Sequence, residues 1–177
     1  MAADTGEQPI VMGHSVSRRQ FLRGDLSARR TPLRPPWALA EFEFVSQCEC
    51  CDKCVEACES GIIQIDSHGF PALNFHNGEC TFCVACVRAC PSGALRIEAD
   101  TQPWLLELVI DPTCMAMNGV VCRSCAEQCG QGAIHFFHLV GRGALPQVDA
   151  GACNGCGACV RPCPSAALSL RRRGTTN

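Results

Sequence analysis

Tyrosine is absent from this chain, and only eight Phe and two Trp supply aromatic bulk across 177 residues. An interior filled mainly by large rings is therefore excluded, because Phe, Tyr and Trp bury the greatest area per side chain. No run approaches the roughly 20 apolar residues that a helix needs to span a bilayer. There is no Gly-rich phosphate loop, no Ser-His-acid set and no carboxylate pair in a recognisable frame, so the chain is not expected to be an enzyme. Arginines concentrate at the two ends and no basic stripe runs through the middle, which argues against nucleic acid as a partner.

What the chain does have is 17 cysteines. In a secreted protein that density would suggest disulfides, with one thiol left over. The spacing points elsewhere. The second run reads CTFCVACVRACP, with Cys80, Cys83, Cys86, Cys90 and a following Pro91, and the fourth reads CNGCGACVRPCP, with Cys153, Cys156, Cys159, Cys163 and Pro164. Both match the bacterial ferredoxin spacing, in which three thiolates on a tight loop hold one 4Fe-4S cluster and the fourth reaches the neighbouring cluster. Gly155, Gly157, Ala158 and Ala85 are small enough for the backbone to wrap closely and aim N–H groups at sulfur.

The first run, Cys48, Cys51, Cys54 and Cys58, keeps this spacing but carries Glu59 where the proline would stand. The proline shapes the exit from a short helix and is no ligand, so its loss leaves the assignment intact. Cys50 fits no second register and is expected to sit beside the cluster as a non-ligand. In the third run Cys114 precedes Cys122 across the loop MAMNGVV, after which Cys125 and Cys129 resume normal spacing. Either Cys114 loops back as the remaining ligand, or the site has three ligands and readily loses an iron. Zinc is the rival metal, but structural zinc sites take two separated ligand pairs, whereas each run here offers consecutive thiols and the ferredoxin fourth. His135 and His138 lie three apart in an expected strand and so face opposite sides, which excludes a shared metal.

The expected cofactors are thus four 4Fe-4S clusters. Sixteen thiolates and four oxidised cores of about +2 each would take a loaded chain to a charge of about -10. Because paired ferredoxin motifs exchange their fourth cysteine, Cys90 is expected to serve the cluster of the first run and Cys58 that of the second. Pairing the third run with the fourth follows the same logic. A nested arrangement, outer runs together and inner runs together, is the open competitor.

The runs begin at Cys48, Cys80, Cys114 and Cys153, a repeat of 32 to 39 residues, so the chain is an array of one unit. Strand-like pieces at 62–65 and 72–75 flank a Ser-His-Gly turn, and AIHFFHLVGRGALPQV forms a second hairpin around 141–143. The middle link places a strand at 95–97, a turn near 102–103 and alternation over 104–110. The expected fold is α+β: a small tandem bacterial-ferredoxin-like fold of short hairpins and short helices, carrying two pairs of clusters. Its parts are an irregular Arg/Pro-rich arm at 1–47 with at most a short helix at 18–26, ferredoxin-like units at 48–100 and 101–170, and a basic tail at 171–177. Six Arg against one Asp between Arg18 and Arg34 suit either a solvated tail or a docking segment.

The stretch SRRQFLR at Ser17–Arg23 looks like a twin-arginine export signal. Asp25, Arg29, Arg30, Arg34 and three prolines interrupt the apolar stretch of roughly 7–15 residues that such a signal needs, so retention in the cytoplasm is expected.

With these residues in place, the chain resembles the NapF family of ferredoxin-type accessory proteins of the periplasmic nitrate reductase system. The resemblance rests on SRRxxL at Ser17–Leu22, RPPW at Arg34–Trp37, ACE at Ala57–Glu59, FCVAC in the second run, VCRSC at Val121–Cys125 and CNGCGAC at Cys153–Cys159. Generic ferredoxins share the last of these but neither the RPPW arm nor the stretched third run. The resemblance implies a cytoplasmic protein that meets the molybdenum-containing catalytic subunit before export and assists its maturation, by inserting or reducing that subunit's own cluster. The competing readings are an electron-transfer subunit of a membrane-associated oxidoreductase complex and a purely structural metal module.

Overall fold

In the computed structural model the chain divides into Met1–Thr31 and Pro32–Asn177, and the structure describes residues 32–99, 101–139 and 143–174. The expected short helix at 18–26, the export-like stretch and the centre of the turn at 141–142 lie outside the described residues. Among the described residues the helices are short: α1 (Glu41–Gln47), α2 (Lys53–Glu56), α3 (Ala85–Arg88), α4 (Ser124–Glu127) and a 3-10 turn at Ala116–Asn118. Six strands, β1 (Ile63–Ile65), β2 (Pro71–Leu73), β3 (Leu106–Ile110), β4 (Ile134–Leu139), β5 (Gly143–Val148) and β6 (Leu168–Arg172), form three two-stranded antiparallel sheets.

Two of the sheets are local hairpins. In the first, Ile63 faces Leu73 and Ile65 faces Pro71. Its turn is made by Asp66, whose Oδ1 accepts from the amides of His68 at 2.8 Å and Phe70 at 3.0 Å. An Asp side chain bonding forward to its own backbone in this way imitates a turn and sets the register. The second hairpin aligns Ile134 with Val148 and Leu139 with Gly143.

The third sheet is not local. β3, which precedes the third cysteine run, pairs with β6, which follows the fourth, with Leu106 opposite Arg172 and Ile110 opposite Leu168. The expected strand at 95–97 is reduced to one bridge between Leu95 and Ala38, because the partner of this stretch is the RPPW segment and the chain turns away after it. The amide of Leu39 donates to the carbonyl of Ala94 at 3.1 Å, and that of Arg96 to the carbonyl of Trp37 at 3.0 Å.

Residues 32–47 read from sequence as the end of an irregular arm, yet Arg34, Pro35 and Pro36 are buried and 41–47 are helical. Phe44 of α1 is 0% exposed; burying such a side chain contributes roughly 1.5–3 kcal/mol, enough to hold two turns that propensity alone would not. The core runs without a break through Phe44, Ile62, Phe70, Phe75, Leu95, Leu106, Ile134 and Leu168, and it includes Cys86 and Cys159. Thiols therefore form part of the wall of the hydrophobic core.

Candidate metal centres

The three regular runs share one backbone shape. Two and four residues after the first cysteine the chain enters the left-handed region, at Cys50 and Asp52 in the first run, Phe82 and Val84 in the second, and Gly155 and Gly157 in the fourth. Side-chain-bearing residues adopt this conformation at a cost of roughly 1–2 kcal/mol each, so four such residues in two loops mark a geometry imposed by function. One helical turn then carries the third cysteine of the first and second runs, and a non-helical turn carries that of the fourth. Three residues past each fourth cysteine the backbone is again left-handed, at Gly61, Gly93, Gly132 and Ala166.

This exit turns amides back onto sulfur. Leu95 N–H donates to Cys90 Sγ at 3.4 Å, and Ala133 and Ala167 donate to Cys129 and Cys163 Sγ, each at 3.3 Å. Phe82 N–H donates to Cys80 Sγ at 3.4 Å. Amide donors aimed at sulfur favour the thiolate and moderate the charge of whatever it holds.

The structure brings Cys48, Cys51 and Cys54 together with Cys90 around a shared cavity walled by Phe44, Pro71 and Leu95. It likewise gathers Cys114, Cys122 and Cys125 with Cys163 around a second cavity, walled by Ile110, Phe136 and Leu168. Cys114 thus returns to its own run despite the long loop. Burial pushes the Cys80 and Cys86 thiols up to about 11, with the nearby Cys58 adding to both. Burial also raises Cys156, with contributions from Glu79 and then from Cys129 and Cys153, and it pushes Cys159 up to about 12. Cys58 thus lies near Cys80 and Cys86, and Cys129 near Cys156, which fits the expected exchange of fourth cysteines and gives two further groups, Cys58 with Cys80, Cys83 and Cys86, and Cys129 with Cys153, Cys156 and Cys159. The first run is thereby joined to the second and the third to the fourth. Cys50 lines the first cavity as a fifth, exposed thiol.

These groups suit a polynuclear core. The thiols stand around spaces with apolar walls. Cys54, pushed up to about 12 by burial and then by Cys48, needs a cationic partner to ionise at neutral pH. His135 and His138 of β4 are both exposed. In the third run Arg123 departs from the left-handed pattern, and its guanidinium lies 5.4 Å from the ring centroid of Phe136, a wall residue of this cavity.

A family described as a 4Fe-4S dicluster domain matches residues 47–94 and 120–173, so each match covers one joined pair of runs and the second begins after Cys114. A ferredoxin-type protein NapF from Haemophilus influenzae is 40% identical over 166 residues, covering 88% of this chain and 94% of the relative. The chain belongs to the NapF family of ferredoxin-type proteins. Its counterpart in Escherichia coli K12 is 40% identical over 154 residues, 87% of this chain and 93% of the relative. The methylamine utilization ferredoxin-type protein MauM of Methylobacillus flagellatus is 34% identical over 176 residues, 89% of this chain and 74% of the relative. The chain is thus an iron-sulfur protein with two repeated dicluster segments, and the family binds 4Fe-4S clusters. Among the described residues no helix is long and apolar enough to cross a membrane.

Residues outside the cysteine runs also build the site. Phe44, Phe136 and Leu168 wall the two cavities, and cysteine spacing carries no signal for apolar wall residues, although Phe44 and Leu168 stand within five residues of Cys48 and Cys163.

Proposed function

We propose that the sixteen run cysteines hold four 4Fe-4S clusters in two ferredoxin-like units, 48–100 and 101–170, and that the protein passes electrons without substrate chemistry of its own. The observation that carries this reading is the grouping of thiols four by four, each group drawing its fourth member from the neighbouring run. When bound, each cluster supplies one-electron chemistry with no transfer of atoms. The chain's own part is to exclude water with Phe44, Phe136 and Leu168, to fix loop shape with left-handed residues, and to direct amides at sulfur.

Membership of the NapF family supports a role in cytoplasmic maturation of the nitrate reductase catalytic subunit before its export. The relatedness to a methylamine utilization protein argues that this scaffold serves more than one system, so specificity for a partner resides outside the cysteine loops. Anaerobic purification with iron and acid-labile sulfide analysis tests the cofactor reading: content matching four clusters is expected, and a colourless protein free of sulfide would refute it. A pull-down of the catalytic-subunit precursor from cytoplasm tests the partner. Stoichiometric co-purification with a mature membrane-associated complex would instead favour a resident electron-transfer subunit.

A further inference from the structure

The two units meet at their cysteine loops. Cys80 N–H donates to the carbonyl of Cys156 at 2.8 Å, so a thiol-bearing residue of the second run is bonded directly to one of the fourth. From Cys80 Sγ the covalent path runs through Cβ, Cα and N–H, across this hydrogen bond, and through C=O, Cα and Cβ to Cys156 Sγ. Aromatic rings seal the joint. Trp104 lies against Phe82 of the second loop, with ring centroids 5.5 Å apart, and against Phe75 at 6.0 Å. Its indole N–H donates to the carbonyl of Asn154 in the fourth loop at 3.0 Å. The approach is so close that a Cβ on Gly157 would stand 2.1 Å from Cδ1 of Phe75.

Inside each unit the groups adjoin through a four-residue step of the chain. Cys54 lies in α2, Cys86 in α3 and Cys125 in α4, and the chain leaves each helix to reach Cys58, Cys90 and Cys129, which belong to the other group; Cys159 and Cys163 do the same across turns. Three junctions then link four groups in a line. Cys48/Cys51/Cys54/Cys90 comes first, followed by Cys80/Cys83/Cys86/Cys58, then Cys153/Cys156/Cys159/Cys129, and last Cys114/Cys122/Cys125/Cys163.

We propose that electrons pass through the protein in this order, so that the stretched third run is a terminus of the path and the Cys80–Cys156 hydrogen bond is the joint at its middle. The inference rests on the reading that each group holds a cluster. At every step one centre loses one electron as its neighbour gains one, and no proton moves and no bond breaks. A one-electron reductant meets one terminus and a one-electron acceptor the other. The path differs from chain order because the second run is bonded to the fourth through Cys80 and Cys156.

The test uses the full chain, loaded anaerobically and reduced with dithionite. Iron and sulfide content short of four clusters would refute the cofactor reading itself, before any path is measured. With four clusters present, Cys48/Cys51/Cys54→Ala combined with Cys114/Cys122/Cys125→Ala leaves the two inner groups, whose EPR lines should be split by mutual magnetic interaction. Sharp, independent signals from that variant would overturn the order. The converse variant, Cys80/Cys83/Cys86→Ala with Cys153/Cys156/Cys159→Ala, should lose all splitting, and splitting there would overturn it equally. If either variant fails to load, the unaltered chain decides. Its fully reduced spectrum should retain interaction beyond that of two independent pairs, and a complete fit by two independent pairs rejects the proposal.

Discussion

Arg34 donates through Nη1 to Asp66 Oδ2 at 2.8 Å with its side chain only 5% exposed, so a guanidinium sits inside the wall that separates the RPPW segment from the first hairpin. Nη2 reaches Glu41 Oε1 at 2.7 Å, and Nη1 also donates to the carbonyl of Pro71 at 3.1 Å. The rings of Phe44 and Phe70 lie 5.2 Å and 5.5 Å from its Cζ. Glu41 in turn accepts from Arg172 of β6 at 3.4 Å, tying the last strand to the first helix. Burial works against the charge, but Glu41 and Asp66 outweigh it and hold the group above its ordinary value.

Removing Arg34 should therefore cost more than its own packing. Arg34→Met leaves Glu41 and Asp66 without their shared partner, and losing one member of a buried ionic group destabilises by about 3–5 kcal/mol. Arg34→Lys keeps the charge without the fork and should recover only part of that loss. Anaerobic urea titration followed by visible absorbance measures both.

Ala166 is an exposed residue held at φ 49°, where the equivalent position in the other three runs is glycine. Ala166→Gly removes roughly 1–2 kcal/mol of backbone strain and adds about 0.4–1 kcal/mol of unfolded-state entropy. A small net stabilisation is expected, read as a higher urea midpoint with unchanged iron content. A lower midpoint would show that the strain is absent.

Cys114 and Cys50 should behave in opposite ways. Cys114→Ala deletes one of the four thiols around its cavity and should convert that centre to a three-iron form, visible by EPR in the oxidised protein, with a matching drop in iron. Cys50→Ser should leave the iron content and spectra of the loaded protein unchanged. Identical spectra for Cys114→Ala and the parent would remove Cys114 from the ligand set.

Stripping the metal should unfold the described core. Its helices near the thiols are four residues long, far below the length that stands alone in water, and the loops hold strained residues that only a bound core over-determines. Hydrogen exchange should show protection lost across β1, β2, β4 and β5 after oxidative iron removal, and regained on reconstitution. Persisting protection would mean that packing alone suffices.

Much of this was legible along the chain because it is local. The two hairpins, the one-turn helices and the thiol loops depend on contacts within about a dozen residues, and the sequence patterns for them are short and repeated. The stretch 95–97 was misread for the opposite reason. A strand there needs a neighbour along its length, and the segment after RPPW offers a single bridge, between Ala38 and Leu95.

Cysteine spacing by itself pointed to 4Fe-4S chemistry and to four loops, three of them regular, since thiols separated by two residues on a tight loop crowd around one point. Tertiary structure alone decided which loops touch, that Arg34 is buried rather than solvated, that β3 pairs with β6 and that Cys80 bonds to Cys156. Those contacts join residues far apart in the chain, carry no period, and arise only when the whole core closes around the thiols.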